Sequence, residues 1–347
     1  MSEGFVHRGI VEGFYGPPWS HDDRLWWIDR LADWGMNRYV HAPKEDPFHR
    51  DRWREPYPAA EQREFGQLIE RGRTRGVEVG FAFSPGLSIE YASAGDRRAL
   101  RDKVAGFARQ GARFFALALD DVPSELVHEG DRRAFRSLAE AHVALTHELY
   151  EAMDSDATLW VVPTDYLGTE STDYLEGLGE ALPPAIEIGW TGRTVLSPEI
   201  TAQQARTRAT TLRRRALLWD NTPVADGPMR PMLHLGPYRG RDPDIVEFIS
   251  GALLNPMSLA RASAMTVRTA ARFLSDPAQY DAEAAFREAA RDVGAHAPEA
   301  FESFARAHRF SPLAPDDRDA ELERAFEALR DAIDAERDVG PPCAALD

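Results

Sequence analysis

A chain of 347 residues with 43% hydrophobic content can bury one large core and a smaller one, which sets an expectation of two domains. Its net charge of −16 opposes the polyanion attraction that dominates nucleic-acid binding, and no apolar run reaches the ~18 residues of a membrane span. The lone cysteine, Cys343, rules out an intrachain disulfide and a cysteine-based zinc or redox site, and nothing at residues 1–8 reads as a signal peptide, so a cytoplasmic protein without nucleic-acid or membrane partners is expected.

The first predicted strand covers residues 6–14. Ser20 and the acidic Asp22 and Asp23 then open a helix with Leu25, Trp26, Ile28, Leu31, Ala32 and Trp34 at helical spacing, closed by Gly35. Further strands follow at 38–42, 77–83, 114–119, 158–162, 186–189 and 216–219, with a weaker one at 251–254, and helical stretches lie between them. Strands alternating with helices make a parallel sheet of βα units. Nearly every strand is followed by a polar or glycine-rich segment: Gly13-Phe14-Tyr15-Gly16, Pro43-Lys44-Glu45-Asp46, Ser84-Pro85-Gly86, Asp120-Asp121, Pro163-Thr164-Asp165-Tyr166, Trp190-Thr191-Gly192, Asp220-Asn221 and Asn255-Pro256. Chemistry collected at strand C-termini is the pattern of a (β/α)8 TIM barrel, and no Gly-x-Gly-x-x-Gly follows a strand to favour an open dinucleotide-binding sheet. The fold expected is α/β, a barrel over residues 1–268 with a helical appendage over 269–347. In that appendage Leu322, Phe326, Leu329 and Ile333 form one apolar stripe, which packs within the chain or joins two chains as a homodimer.

The most informative pair is Asp120 and Asp121, at the end of the buried run Phe114-Phe115-Ala116-Leu117-Ala118-Leu119. One of them could simply cap the next helix while the other is solvated. Neighbouring residues on a regular strand face opposite ways, so both serve one ligand only if the strand breaks there. Two carboxylates sharing a pocket separate in acidity, which suits one for donating a proton and the other for accepting a hydrogen bond. Asn221, Asp226 and Asn255 on late loops, with Lys44 on an early one, supply donors and acceptors suited to sugar hydroxyls, and Trp19, Trp190 and Trp219 are candidate faces for a pyranose ring. His41, His49, Glu45 and Asp46 match no metal-ligand spacing, and no Gly-x-Ser-x-Gly elbow is present, so neither a metal nor a serine nucleophile is expected.

The run from Gly9 to Ser20, GIVEGFYGPPWS, with WGMN at 34–37, YVHAPKEDP at 39–47, FSPGL at 83–87, the Asp120-Asp121 pair, PTDY at 163–166, WTG at 190–192, WDN at 219–221, LGPY at 235–238 and LNP at 254–256, closely resembles the catalytic domain of glycoside hydrolase family 84, the β-N-acetylglucosaminidases. The resemblance covers most of residues 5 to 260, in order. It implies a retaining exo-β-N-acetylglucosaminidase that needs no cofactor and acts on a GlcNAc-bearing glycan or glycoprotein, with the substrate's own acetamide as nucleophile. It further implies that Asp120 orients the acetamido N–H, that Asp121 protonates the leaving oxygen and later activates water, and that Tyr166 steadies the acetamido oxygen. Trp219 would wall the pocket for the acetamido methyl, and Gly13, Lys44, Asn221, Asp226 and Asn255 would grip the sugar hydroxyls. Two readings from other classes stand beside it. A metal-dependent deacetylase of N-acetylated sugars would release acetate and lose activity to chelators, and a GlcNAc-binding protein would bind without turnover.

Overall fold

The computed structural model describes residues 4–335, residue 319 excepted, so Cys343 and the end of the expected helical region lie outside the described residues. Eight strands, β1 (His7–Glu12), β2 (Arg38–His41), β3 (Glu78–Phe83), β4 (Phe114–Ala118), β5 (Thr158–Val162), β6 (Glu187–Trp190), β7 (Ala216–Asp220) and β8 (Ile249–Leu254), close into one barrel. Each pairs in parallel with the next, and β8 returns to β1 through registers such as Gly9 with Leu253. Every expected strand overlaps an observed one. The helices on the outside are α1 (His21–Asp33), α2 (Ala59–Arg75), α3 (Ala94–Arg109), α4 (Glu129–Ala134), α5 (Leu138–Glu151), α6 (Asp173–Ala181), α7 (Ala202–Leu212) and α8 (Ala260–Ser275). Beyond the barrel come α9 (Ala282–Val293), α10 (Pro298–Ala307) and α11 (Ala320–Asp334). None of the described helices is long and apolar enough to cross a membrane.

Strand β4 shows how the sequence specifies the barrel. All five of its residues are buried because they alternate between two apolar environments. Phe115 and Leu117 point outward into the layer beneath the helices, while Phe114 and Ala116 point inward beside Val11, Val40, Trp160, Leu217 and Leu253. Helix α1 begins where the capping reading places it: the Ser20 side chain accepts from the Asp23 amide, and Gly35 leaves the helix at φ 73°.

The expected boundary at 268/269 falls inside the continuous helix α8, which touches β1 and β8 on one side and α9 on the other. Met265 of α8 joins Phe286, Ala289, Ala290 and Ala305 in a separate apolar cluster that seats α9 and α10. The helix read from the stripe at Leu322, Phe326, Leu329 and Ile333 is present as α11, but the residues it buries are Ala325 and Ala332, whereas Phe326 and Ile333 are 55% and 58% exposed. Leu322 and Leu329, half-buried, lie on the same face as these alanines, so the stripe is divided between a packed edge and an exposed one.

Between β7 and β8 the chain makes a long excursion that is tied back by a buried ion pair. Arg241 donates from Nε and Nη2 to the two carboxylate oxygens of Asp220, at 2.9 and 2.6 Å, and the Tyr238 hydroxyl adds a bond at 2.6 Å. Both charges are almost completely enclosed, so removing one strands the other. Arg241→Met is expected to destabilise the protein by about 3–5 kcal/mol in urea unfolding, and a loss below about 1 kcal/mol would show that the pair does not anchor the excursion.

Candidate active site

Strand β4 ends at Ala118, and the Leu119 amide still bonds to the Val162 carbonyl at 2.8 Å before the chain breaks from the sheet. Asp121 then takes φ 52°, a left-handed conformation that costs a non-glycine residue about 1 kcal/mol or more. This turn removes the strand alternation, so both carboxylates reach the same cavity. The strain sits at the pair expected to carry chemistry.

Asp120 is 7% exposed, and its Oδ2 is ion-paired to Lys44 Nζ. Burial opposes ionisation of this carboxyl, but the adjacent ammonium outweighs it and holds Asp120 below the ordinary carboxylate range. Burial likewise opposes the charge on Lys44, and Asp120 overcomes it, so the ammonium is held more firmly than usual. The other oxygen, Asp120 Oδ1, is buried and has no hydrogen-bond partner. A buried, ionised acceptor without a protein donor is costly, so a ligand N–H or O–H that reached this oxygen would be favoured.

The loop after β2 brings Lys44 to this position. Asp46 accepts from the amides of Phe48 and His49 at 2.8 and 3.3 Å and from the Tyr57 hydroxyl at 2.9 Å, with His41 Nε2 at 3.2 Å. Burial is the largest influence on Asp46, yet its bonds from His41 and Tyr57 hold its pKa well below the ordinary carboxylate range. His49 is driven down to about 4 by burial and by the nearby Lys44 ammonium, so it is neutral and bonds through Nδ1 to the Ala82 carbonyl at 2.9 Å. His41, Asp46 and His49 thus form a hydrogen-bonded brace for the loop, while Glu45 is exposed and faces Arg230 at 3.7 Å. Among the described residues no group of three or more His, Cys, Asp or Glu side chains is placed to hold a metal ion.

On the opposite wall the Tyr166 hydroxyl donates to Asp121 Oδ1 at 3.1 Å. Burial and the Asp121 charge push its pKa upward, so it stays protonated and remains a donor. Its loop is pinned by Thr164 Oγ1 to the Leu119 carbonyl at 2.8 Å, by the Thr191 amide to the Tyr166 carbonyl at 2.8 Å, and by Arg208 to the Gly168 carbonyl at 2.7 Å. Trp219 lines the cavity above Trp160, with ring centroids 5.5 Å apart. Lys44 Nζ is 5.7 Å from the Trp219 ring. Gly13 is required here because a Cβ at that position would stand 2.2 Å from Trp219 Cζ2. Asn255 accepts from the Gly13 amide at 3.2 Å and donates to Asn221 Oδ1 at 2.9 Å, and the Trp219 indole donates to the same oxygen at 2.9 Å. Asp226 Oδ2 accepts from the Tyr15 amide at 3.1 Å.

One cavity therefore gathers all nine anticipated residues, Gly13, Lys44, Asp120, Asp121, Tyr166, Trp219, Asn221, Asp226 and Asn255. Trp19 and Trp190 are not in its lining. Trp19 stacks on Trp27 at 5.3 Å, and buried Trp190 bonds to the Gly168 carbonyl at 2.8 Å, so both shape loops from behind. Sequence reading assigned no role to Tyr15, Thr191, Val195 or Leu196, which also line the cavity. Tyr15 and Thr191 lay in segments flagged as strand-end loops, whereas the apolar pair carried no signal of its own.

Comparison with known proteins places these residues in context. The β-N-acetylglucosaminidase family model matches residues 8–306. Protein O-GlcNAcase of Rattus norvegicus is 35% identical over 269 residues, 76% of this chain and 29% of the relative, and that of Mus musculus gives the same figures. The chain thus spans less than a third of the length of these curated relatives. A mutant of the Thermobaculum terrenum O-GlcNAc hydrolase superposes with a TM-score of 0.89 at 36% identity, covering 96% of this chain and 73% of that one.

The Lys44–Asp120 pair has a testable pH signature. Because folding lowers the Asp120 carboxyl, its contribution to stability is present above the unfolded value of ~3.9 and fades as pH falls through the lower folded value. In Lys44→Met burial acts unopposed, the carboxyl rises instead, and the variant loses stability as pH rises. The wild-type advantage in unfolding free energy should be small near pH 3 and grow to about 3–5 kcal/mol near pH 7. A pH-independent difference would show that the pair is not the source.

Proposed function

The chain belongs to the β-N-acetylglucosaminidase family, glycoside hydrolase family 84, and on that footing we propose that it is a retaining exo-β-N-acetylglucosaminidase acting on terminal β-linked GlcNAc of a glycan or glycoprotein. The observation that carries the reading is the unpartnered Oδ1 of Asp120, a buried ionised acceptor beside an oxygen already neutralised by Lys44. An acetamido N–H supplies the missing donor. As that N–H passes its proton to the carboxylate, the amide oxygen gains electron density and attacks C1, giving a neutral oxazoline that water later opens as Asp120 returns the proton to nitrogen. The enzyme then needs no nucleophile ~5 Å from its acid, in contrast to the usual retaining scheme.

Asp121 takes the other role. Its side chain is 35% exposed, on the open side of the pocket, where the departing oxygen lies and water enters. It protonates that oxygen in the first step and removes a proton from water in the second. The Tyr166 hydroxyl steadies the acetamido oxygen, Trp219 offers an apolar face to the acetamido methyl, and Asn221, Asp226, Asn255 and Lys44 supply polar groups for the ring hydroxyls. The amide of Gly13 already bonds to Asn255, so its part is to hold that side chain. A cytoplasmic location and a homodimer through the helical C-terminus belong to the same proposal. Exposed Phe326 and Ile333 support the dimer, and a monomeric mass by light scattering would count against it.

Hydrolysis of aryl β-GlcNAc, followed by NMR, is expected to release the β-anomer first, and an aryl β-glucoside, which lacks the acetamide, should be nearly inert. Inversion at C1, or equal turnover of the glucoside, would sink the mechanism; release of acetate would favour a deacetylase, and binding without turnover a lectin-like role.

Replacing each aspartate separates their duties. Asp121→Asn should lose about 10²–10⁴-fold on poor leaving groups but much less on activated aryl glycosides, whose first step should survive, with azide partly restoring breakdown of the intermediate. Asp120→Asn should slow good and poor leaving groups alike, without azide rescue. Identical profiles for the two variants would refute the assignment.

A further inference from the structure

Tyr15 is 40% exposed at the cavity mouth and makes more polar contacts than a rim residue requires. Its hydroxyl donates to Asp121 Oδ2 at 3.1 Å and accepts from Arg50 Nη1 at 3.3 Å. The Arg50 guanidinium lies 6.0 Å from the Tyr15 ring centroid, its Nε is buried without a partner, and among the described residues no carboxylate lies within ion-pair distance of it. Structural arginines of this protein bond a carboxylate, as Arg241 does, or backbone carbonyls, as Arg208 does. Arg50 is directed at a phenol that is directed at the carboxylate proposed as the acid.

We infer that Tyr15 is a positioning residue for Asp121, and that Arg50 acts through it. The inference rests on the acid role proposed above. Asp121 has two oxygens and two tyrosine donors, Tyr166 on Oδ1 and Tyr15 on Oδ2. Tyr166 has a second duty at the acetamido oxygen, so a bound substrate draws its hydroxyl away and frees Oδ1. Tyr15 has no such duty and keeps Oδ2 in place, with Lys44 Nζ at 3.8 Å on the same oxygen. Oδ1 is then the atom that hands its proton to the glycosidic oxygen. In that step the C1–O bond breaks, its electron pair and the Asp121 proton leave with the aglycone, and the amide oxygen forms the new bond to C1. Arg50, by donating to the phenol oxygen, strengthens the phenol as a donor in turn. The Tyr15 amide, bonded to Asp226, ties the same residue to the sugar-binding loop after β7, so its hydroxyl can be removed without loosening that anchor.

The test is kcat/KM across aryl β-GlcNAc substrates ranging from dinitrophenyl to methoxyphenyl leaving groups, measured for wild type, Tyr15→Phe, Arg50→Met and the double variant, with Asp121→Asn as reference. Tyr15→Phe keeps the ring and should retain the wild-type unfolding midpoint. Loss of one hydrogen bond to a charged group predicts a loss of roughly tenfold to a hundredfold on methoxyphenyl and under about threefold on dinitrophenyl, where the proton hardly matters. Arg50→Met should give a smaller loss with the same dependence, Arg50→Lys should recover part of it, and the double variant should match Tyr15→Phe because the contacts act in series. An equal loss on every leaving group, or none, would overturn the positioning role of Tyr15, and additive losses would overturn the part given to Arg50. If Asp121→Asn itself shows no leaving-group dependence, the acid assignment fails instead.

Discussion

A carboxylate taken out of water must be neutralised or it will not stay ionised, and the site is arranged around that constraint at Asp120. One oxygen is paired to Lys44, so the charge survives burial, and the other is left without a donor. Had both oxygens been satisfied, the group would be an ordinary structural ion pair. Had neither been, burial would protonate it and remove the acceptor. The pair must also be rigid, which accounts for the many bonds converging on Asp46, the brace of the loop that carries Lys44.

The same economy appears beneath the cavity. A barrel interior has to be filled with side chains, and here the inward positions of β4, β5 and β7 carry Phe114, Trp160 and Trp219. Trp219 completes the core with one face and lines the cavity with the other, and the space for its ring comes from the missing side chain of Gly13 on β1's exit loop. Packing and recognition therefore share one residue, and a change to either side is felt by both.

Asp120 and Asp121 are adjacent in sequence but differ in environment. The first is enclosed and beside a cation, while the second is partly open and held by two phenols. That difference fits the division proposed for them, a fixed acceptor for the amide and a proton carrier facing the departing group. Both still reach one cavity because the backbone torsion at Asp121 turns the chain out of β4 before the strand alternation can send the two side chains apart.

Periodicity alone carried the barrel. Buried apolar runs such as 114–119, each ended by polar or glycine-rich residues, state that a strand is covered on both faces and where it stops, because burial on both faces requires that composition. Residue chemistry pointed to Lys44, Asp120, Asp121, Trp219, Asn221, Asp226 and Asn255, the resemblance added Gly13 and Tyr166, and the cavity brings these nine together, while their catalytic and binding roles stay proposals. Other features depended on distances that no local pattern encodes. A stripe of large residues at 322–333 marks α11 as a helix, but its packed face runs through Leu322, Ala325, Leu329 and Ala332 and leaves Phe326 and Ile333 outside. Three tryptophans looked equally able to meet a sugar until packing enclosed Trp19 and Trp190 and left Trp219 at the cavity. The pairing of Asp120 with Lys44 and the chain from Arg50 through Tyr15 to Asp121 are polar contacts between residues up to 106 positions apart. A sequence supplies the donors and acceptors for such relations, but only the closed barrel, by converging its strand ends, determines which of them meet.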